Sequence, residues 1–180
     1  MPAAGRSPTS SAADSSLDAW QNLAMSIDPA THRKLAVDAN NATWEILGKA
    51  LTEISDDDAE EMTRRAYAAA YHWQRAEGAG PANEARASWL LSRVWAVRQN
   101  GELALYHARR CLAVCESAGL VDFDLAYAHE ALARSFAALG NPEQARHHLA
   151  IAREVPIADT EDRALVEADL AGEPWFGLGQ

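Results

Sequence analysis

The chain has 180 residues, with 26 Asp and Glu against 16 Lys and Arg for a formal charge of −10, and only 10 Gly and 7 Pro. A chain of this length can bury roughly 70% of its unfolded surface, enough for one self-supporting domain, and its Ala, Leu, Glu and Arg content favours helices over strands. The acidity argues against nonspecific nucleic-acid binding, which draws on clustered cations, and no apolar run approaches the ~20 residues that cross a bilayer.

Residues 1–16 are small, polar and proline-containing, with almost nothing to bury, and read as a disordered tail without the apolar stretch of a signal peptide. The ordered part is expected from Leu17 or Trp20. Asp28-Pro29 supplies a cap and a first-turn proline for a helix that carries Leu35, Val37, Trp44, Leu47 and Leu51 and ends near Leu51. Ser55-Asp56-Asp57-Asp58 opens the next, because acidic residues complement the positive helix N-terminus, and Gly78 and Gly80 close it. Pro81 starts a third helix that stops at Asn100-Gly101. A fourth runs from Glu102 to about Ser117, and a fifth, capped by Asp122, carries Leu125, Leu132, Phe136 and Leu139. Gly140-Asn141-Pro142-Glu143-Gln144 ends one helix and caps another, with Gln144 able to reach back to the cap. The sixth helix ends near Pro156 and a last one covers about Asp159 to Leu170. The apolar pair Trp175-Phe176 in a terminal tail, residues 173–180, is read either as a fold-back cap or as a contact for another chain.

A shift of 41 residues lays Leu91 on Leu132, Arg93 on Arg134, Trp95 on Phe136, Asn100 on Asn141, Ala104 on Ala145 and His107 on His148. Such coincidences indicate a duplicated helical hairpin that must stack on its neighbours to bury its apolar faces. Leu132, Ala133, Phe136, Gly140, Ala145, Leu149 and Ala152 resemble a tetratricopeptide repeat, and Leu91, Ser92, Trp95, Ala104, Ala108 and Cys111 resemble it more loosely. The period exceeds the family's usual ~34 residues, and the hairpin over 33–78 fits only with a longer internal connection. The resemblance implies an all-α, right-handed superhelix of about three hairpins over residues 17–172 with a C-terminal capping helix.

It also implies that the first helices of successive pairs line a concave groove, at Arg86, Trp89 and Arg93 on the third helix and Tyr127, Glu130 and Arg134 on the fifth. Their spacings of three and four place each trio on one helical face. Guanidinium groups bind carboxylate or phosphate through paired hydrogen bonds, with aromatic rings as rigid contacts beside them. The expected partner is an anionic peptide or protein segment, or a small acidic metabolite, and no cofactor, nucleic acid or membrane. The plainer alternative pairs these arginines with nearby acids as surface ion pairs worth ~0–1 kcal/mol each.

A catalytic alternative makes His72 a general acid or base, Arg86 or Arg93 an anion holder and Glu130 or Tyr127 a second proton-transfer group in an enclosed pocket. A third reading is a homodimerising scaffold. His107, Cys111 and Cys115 share a helical stripe, with His129, His147 or His148 as further metal ligands. Such a stripe spans ~12 Å along the helix, too far for one ion, and core thiols in a reducing, cytoplasmic compartment are the favoured reading. Asp56-Asp57-Asp58 lacks the glycine and terminal glutamate of a calcium loop. No phosphate-loop, dinucleotide, serine-hydrolase or zinc-protease motif occurs.

Overall fold

A computed structural model describes residues 27–178. The expected tail over 1–16 and the start near Leu17 or Trp20 lie outside these residues. Seven α-helices follow in order: α1 Pro29–Leu47, α2 Asp56–Trp73, α3 Pro81–Val97, α4 Gly101–Ala118, α5 Phe123–Ala138, α6 Pro142–Glu154 and α7 Thr160–Ala171. There is no strand among the described residues.

Six of the seven starts carry a side-chain cap, and α3 begins instead on Gly80-Pro81 without one. Asp28 accepts from the Thr31 N–H at 2.9 Å ahead of Pro29. Ser55 and Asp58 exchange backbone bonds of 3.1 and 3.2 Å, a complete capping box. Asn100 accepts from Leu103 N–H at 3.1 Å and Asn141 from Gln144 N–H at 3.2 Å, so the two duplicated caps work alike. The Asn141 carbonyl alone makes the second cap, without the return bond expected from the Gln144 side chain. Gly119 closes α4 at φ 65° and Gly140 follows α5 at φ 70°, left-handed positions that glycine adopts freely. One boundary differs from expectation: α1 stops at Leu47, and Leu51 lies in a separate 3-10 turn, Leu51–Glu53. That turn fills the longer connection that the first hairpin requires.

Helices α1–α2, α3–α4 and α5–α6 pack as hairpins, neighbouring hairpins stack, and α7 packs on α5 and α6. Ile46, Met62, Ala66, Leu90, Leu91 and Val94 join the first hairpin to α3. Ala85, Cys111, Cys115 and Ala128 join α3, α4 and α5, and both cysteines are free thiols in this core. Ala126, Ala133, Ala152, Ile157, Val166 and Leu170 seal the last layer together with Trp175. Alanine dominates these seams because a small side chain lets backbones approach closely. Five of the long polar contacts keep nearly one register: His32 to His72, Tyr67 to His107 and Arg134 to Pro174 each span 40 residues, Trp89 to Glu130 spans 41, and Tyr127 to Asp169 spans 42. Stacking therefore sets side by side residues that lie about one repeat apart. No helix among the described residues is long and apolar enough to cross a membrane.

Gly101 lies close against the next hairpin, where an added Cβ would lie 2.6 Å from the Leu139 side chain and 3.0 Å from its backbone nitrogen. Gly101→Ala should therefore destabilise the fold by about 1 kcal/mol, against the gain that alanine brings to most helical positions, as read from urea unfolding midpoints at unchanged slope.

Candidate functional site

The face made by α1, α3 and α5 carries an aromatic ladder. The Trp44 and Trp89 rings lie 5.1 Å apart, those of Trp89 and Tyr127 4.3 Å, and Phe123 meets Tyr127 edge-on at 6.4 Å. Trp44, Trp89, Phe123 and Tyr127 line a recess of about 160 Å³ with Asn40 and Arg86 at its polar edge. Arg86 grips Asp124 through Nε at 2.7 Å and Nη2 at 3.0 Å, lies 4.8 Å above the Phe123 ring, and leaves about half of its side chain exposed. Asp122 sets this edge. Its φ of 63° is costly for a residue with a side chain, and it is held there while its carboxylate accepts from the N–H groups of Phe123 at 2.8 Å and Ala158 at 3.2 Å.

Behind the ladder lies a buried charge network. Glu130 is fully buried; its carboxylate accepts from Arg93 Nη1 at 2.5 Å, from Arg134 Nε, and from Trp89 Nε1 at 2.8 Å. Burial works against its charge, yet the Arg93 and Arg134 guanidiniums and the indole N–H hold it below the ordinary carboxylate value. Arg134 is 1% exposed and donates three further N–H groups to backbone carbonyls: Nη1 to Pro174 at 2.8 Å, and Nη2 to Asp169 at 2.6 Å and Gly172 at 3.0 Å. Trp175 lies with its ring 4.0 Å from the Arg134 guanidinium and is itself buried. The C-terminal segment thus folds back on the domain, one of the two roles read for Trp175-Phe176.

The sequence-selected residues therefore divide. Arg86, Trp89, Arg93, Tyr127, Glu130 and Arg134 do share one face, as their spacing requires. Arg93 and Arg134 were expected on an open cationic groove and instead are buried against Glu130, because an i,i+4 acid and a neighbouring helix offer them one shared carboxylate. Arg93 Nε remains without a partner. Tyr127 donates to Asp169 on α7 at 2.8 Å; burial first, and that carboxylate second, raise its phenol pKa. The local surface is consequently near charge balance rather than cationic. His72 sits apart from this group, bonded through Nδ1 to His32 Nδ1 at 2.7 Å and packed edge-on to Tyr71. The His72, Arg93 and Glu130 constellation of the catalytic alternative is thus divided between the first hairpin and a sealed ion cluster.

Sequence reasoning missed Trp44 and Asn40 as recess residues and Asp169 as the partner of Tyr127. Only the 40-residue contact register could have pointed to the last. It also missed two histidine pairs: His32 with His72, and His129 with His148 at 3.1 Å between Nδ1 atoms. In each pair one ring must donate and the other accept, so both cannot carry a charge at no cost. His107 departs from the metal stripe: its Nε2 meets the Tyr67 hydroxyl at 3.3 Å, away from the core seat of Cys111 and Cys115. Among the described residues no group of three His, Cys, Asp or Glu side chains is disposed to hold a metal ion.

Two measurements follow. Glu130→Gln leaves two buried guanidiniums without their counter-charge and should cost about 3–5 kcal/mol, read as a lowered urea midpoint. Burial, reinforced by Arg110, pushes His107 down to about 4, and burial together with His129 and His147 pushes His148 down to about 4. His72 and His129 shift the same way, chiefly through burial. Groups with folded pKa below the unfolded ~6.5 contribute stability that is full above that value and is lost as pH falls towards 4. Stability should therefore drop through this window, by about 3 kcal/mol at most from His107 alone, and the slope should be shallower in His107→Gln.

Models of known protein families, curated proteins and solved structures give no match to this chain, so its function has to be read from the geometry.

Proposed function

We propose that the chain is a tetratricopeptide-like interaction module, a right-handed superhelix of three hairpins capped by α7, whose inner face holds an extended segment of a partner protein with an acidic group at Arg86. The observation that carries this reading is the seat that the face already gives to the end of α7 and the segment that follows it. Arg134 takes the carbonyls of Asp169, Gly172 and Pro174, and the Trp175 ring covers the guanidinium. A partner segment would use the adjoining, uncovered end in the same manner. Trp44, Trp89 and Tyr127 offer rigid rings, and Arg86 offers the one half-exposed guanidinium among the residues selected from sequence. A small acidic metabolite fits less well, because the recess of about 160 Å³ falls below the ~300–1,000 Å³ of drug-sized ligand sites and suits a single side chain. The module would work in the cytoplasm, where the free thiols of Cys111 and Cys115 stay reduced.

The test uses the full chain against acidic, neutral and basic decapeptides in calorimetry. Acidic peptides should bind best, and Arg86→Glu should weaken them by about tenfold or more, the equivalent of one charge-assisted contact at ~1.5–3 kcal/mol. Circular dichroism checks that the variant is folded, and Arg86→Gln, which removes the charge without setting a second carboxylate beside Asp124, should weaken the same peptides. Equal binding of all three peptide classes, or affinity unchanged by Arg86→Glu, would remove the reading.

A further inference from the structure

On the opposite side of α3, helices α2 and α4 leave a cleft of about 610 Å³ between them, unrelated to the aromatic recess. Its walls carry Tyr67 and Tyr71 from α2 and Tyr106 from α4, exposed by 43%, 51% and 59%. Trp73, Pro81 and Leu91 extend the apolar lining. Three half-exposed tyrosines across one trough are unusual for a surface that only meets water, since large aromatic patches mark contact sites. Closed small-molecule pockets bury most of their ligand, whereas these rings stand in solvent along both banks and suit an elongated occupant.

The hydrogen-bonding character of the cleft narrows that occupant. The Trp95 indole N–H donates to the Tyr67 hydroxyl at 3.2 Å, which leaves the phenol hydrogen for His107 Nε2 at 3.3 Å and locks the Tyr67 ring from behind. His107 is 7% exposed, and its Nδ1 is a buried ring nitrogen without a partner at the cleft. The Trp73 indole and the Tyr71 and Tyr106 phenols add further groups able to donate. The carboxylate in the lining, that of Glu84, is already held by Arg110 at 2.7 Å. A well-matched ligand therefore brings acceptors and few donors of its own. Charge narrows it further. Glu84 and Arg110, the two charged side chains of the lining, pair with each other and leave no net charge in the wall for a charged segment to answer, and Arg75 beside it already lies 3.7 Å from the Tyr71 ring centre.

From these observations we propose that the cleft between α2 and α4 is a second binding site, which takes an uncharged, proline-rich segment in the extended polyproline conformation. Such a segment presents carbonyls without N–H groups, packs its rings between aromatic side chains, and loses little conformational freedom on binding. Tyr71 and Tyr106 form the two banks, and Tyr67, fixed by His107 and Trp95, forms the floor. The site is independent of the reading of the α1–α3–α5 face.

A ten-residue all-proline peptide titrated into the full chain, followed by tryptophan fluorescence and calorimetry, tests this directly. Saturable binding in the micromolar to millimolar range is expected. It should be about tenfold weaker in Tyr71→Ala and in Tyr106→Ala, as for aromatic anchor residues, and only partly weakened in Tyr106→Phe, which keeps the ring and removes the donor. Arg86→Glu should leave it unchanged, which separates failure here from failure of the proposed acidic-segment site. Circular dichroism establishes that each variant is folded, and the Tyr106→Phe result stands even if an alanine variant is not. Absence of saturation at millimolar peptide overturns the proposal. So does equal or tighter binding of a deca-arginine, deca-glutamate or glycine-serine peptide, or of prolinamide alone, as does affinity indifferent to both tyrosines.

Discussion

One carboxylate, that of Glu130, organises the α3–α5 half of the molecule. It lies where α3, α5 and the C-terminal segment meet, and its two oxygens gather Arg93 and Trp89 from one helix and Arg134 from its own. A lone buried carboxylate costs several kcal/mol, and so does a lone buried guanidinium. Each of these groups is tolerable only because the others are in place. The network therefore specifies register more than it adds stability: sliding α3 along α5 by one turn would separate Trp89 and Arg93 from Glu130. Arg134 then carries the same constraint outward, since three of its four remaining N–H groups go to carbonyls of residues 169–174.

The aromatic ladder stands on that base. Trp89 is held by its indole bond to Glu130, so its ring lies at a fixed angle between Trp44 and Tyr127. Tyr127 is fixed in turn by Asp169 of α7. A recognition surface built of side chains already bonded from behind loses little freedom when something binds to it. Tyr67 on the other side of α3 follows the same rule, with His107 and Trp95 as its supports. Helix α3 thus contributes to both faces, through Trp89 and Arg93 on one and through Ser88 and Leu91 on the other.

Helix order and boundaries were legible in the sequence because they depend on local chemistry. Asp28, Ser55, Asn100, Asn141 and Asp159 each cap the helix that they precede, and such bonds reach only three residues along the chain. The duplication was legible because the paired caps at Asn100 and Asn141 keep their spacing. Shared faces followed from helical period alone, which is why the six groove candidates do lie together. Burial was not legible. A Glu and two Arg at helical spacings read equally well as a solvated surface or as a sealed cluster, and the difference lies in whether residues 172–178 return to cover them. That return depends on Trp175 packing among Ala126, Ala133 and Val166, contacts made across the fold that no local pattern announces. The histidine pairs were hidden for the same reason, since His32 and His72 lie 40 residues apart.

The short reach of these cross-hairpin contacts has a consequence for how the chain assembles. Because the long polar links of 40 to 42 residues join each unit only to the next, cooperativity passes between neighbours, and among the described residues no hydrogen bond ties the first hairpin to α7. The molecule then behaves as a short one-dimensional array. Ordering can nucleate in whichever hairpin closes first and spread by templating, and the outer units open before the central α3–α5 layers, which have a stacked neighbour on either side.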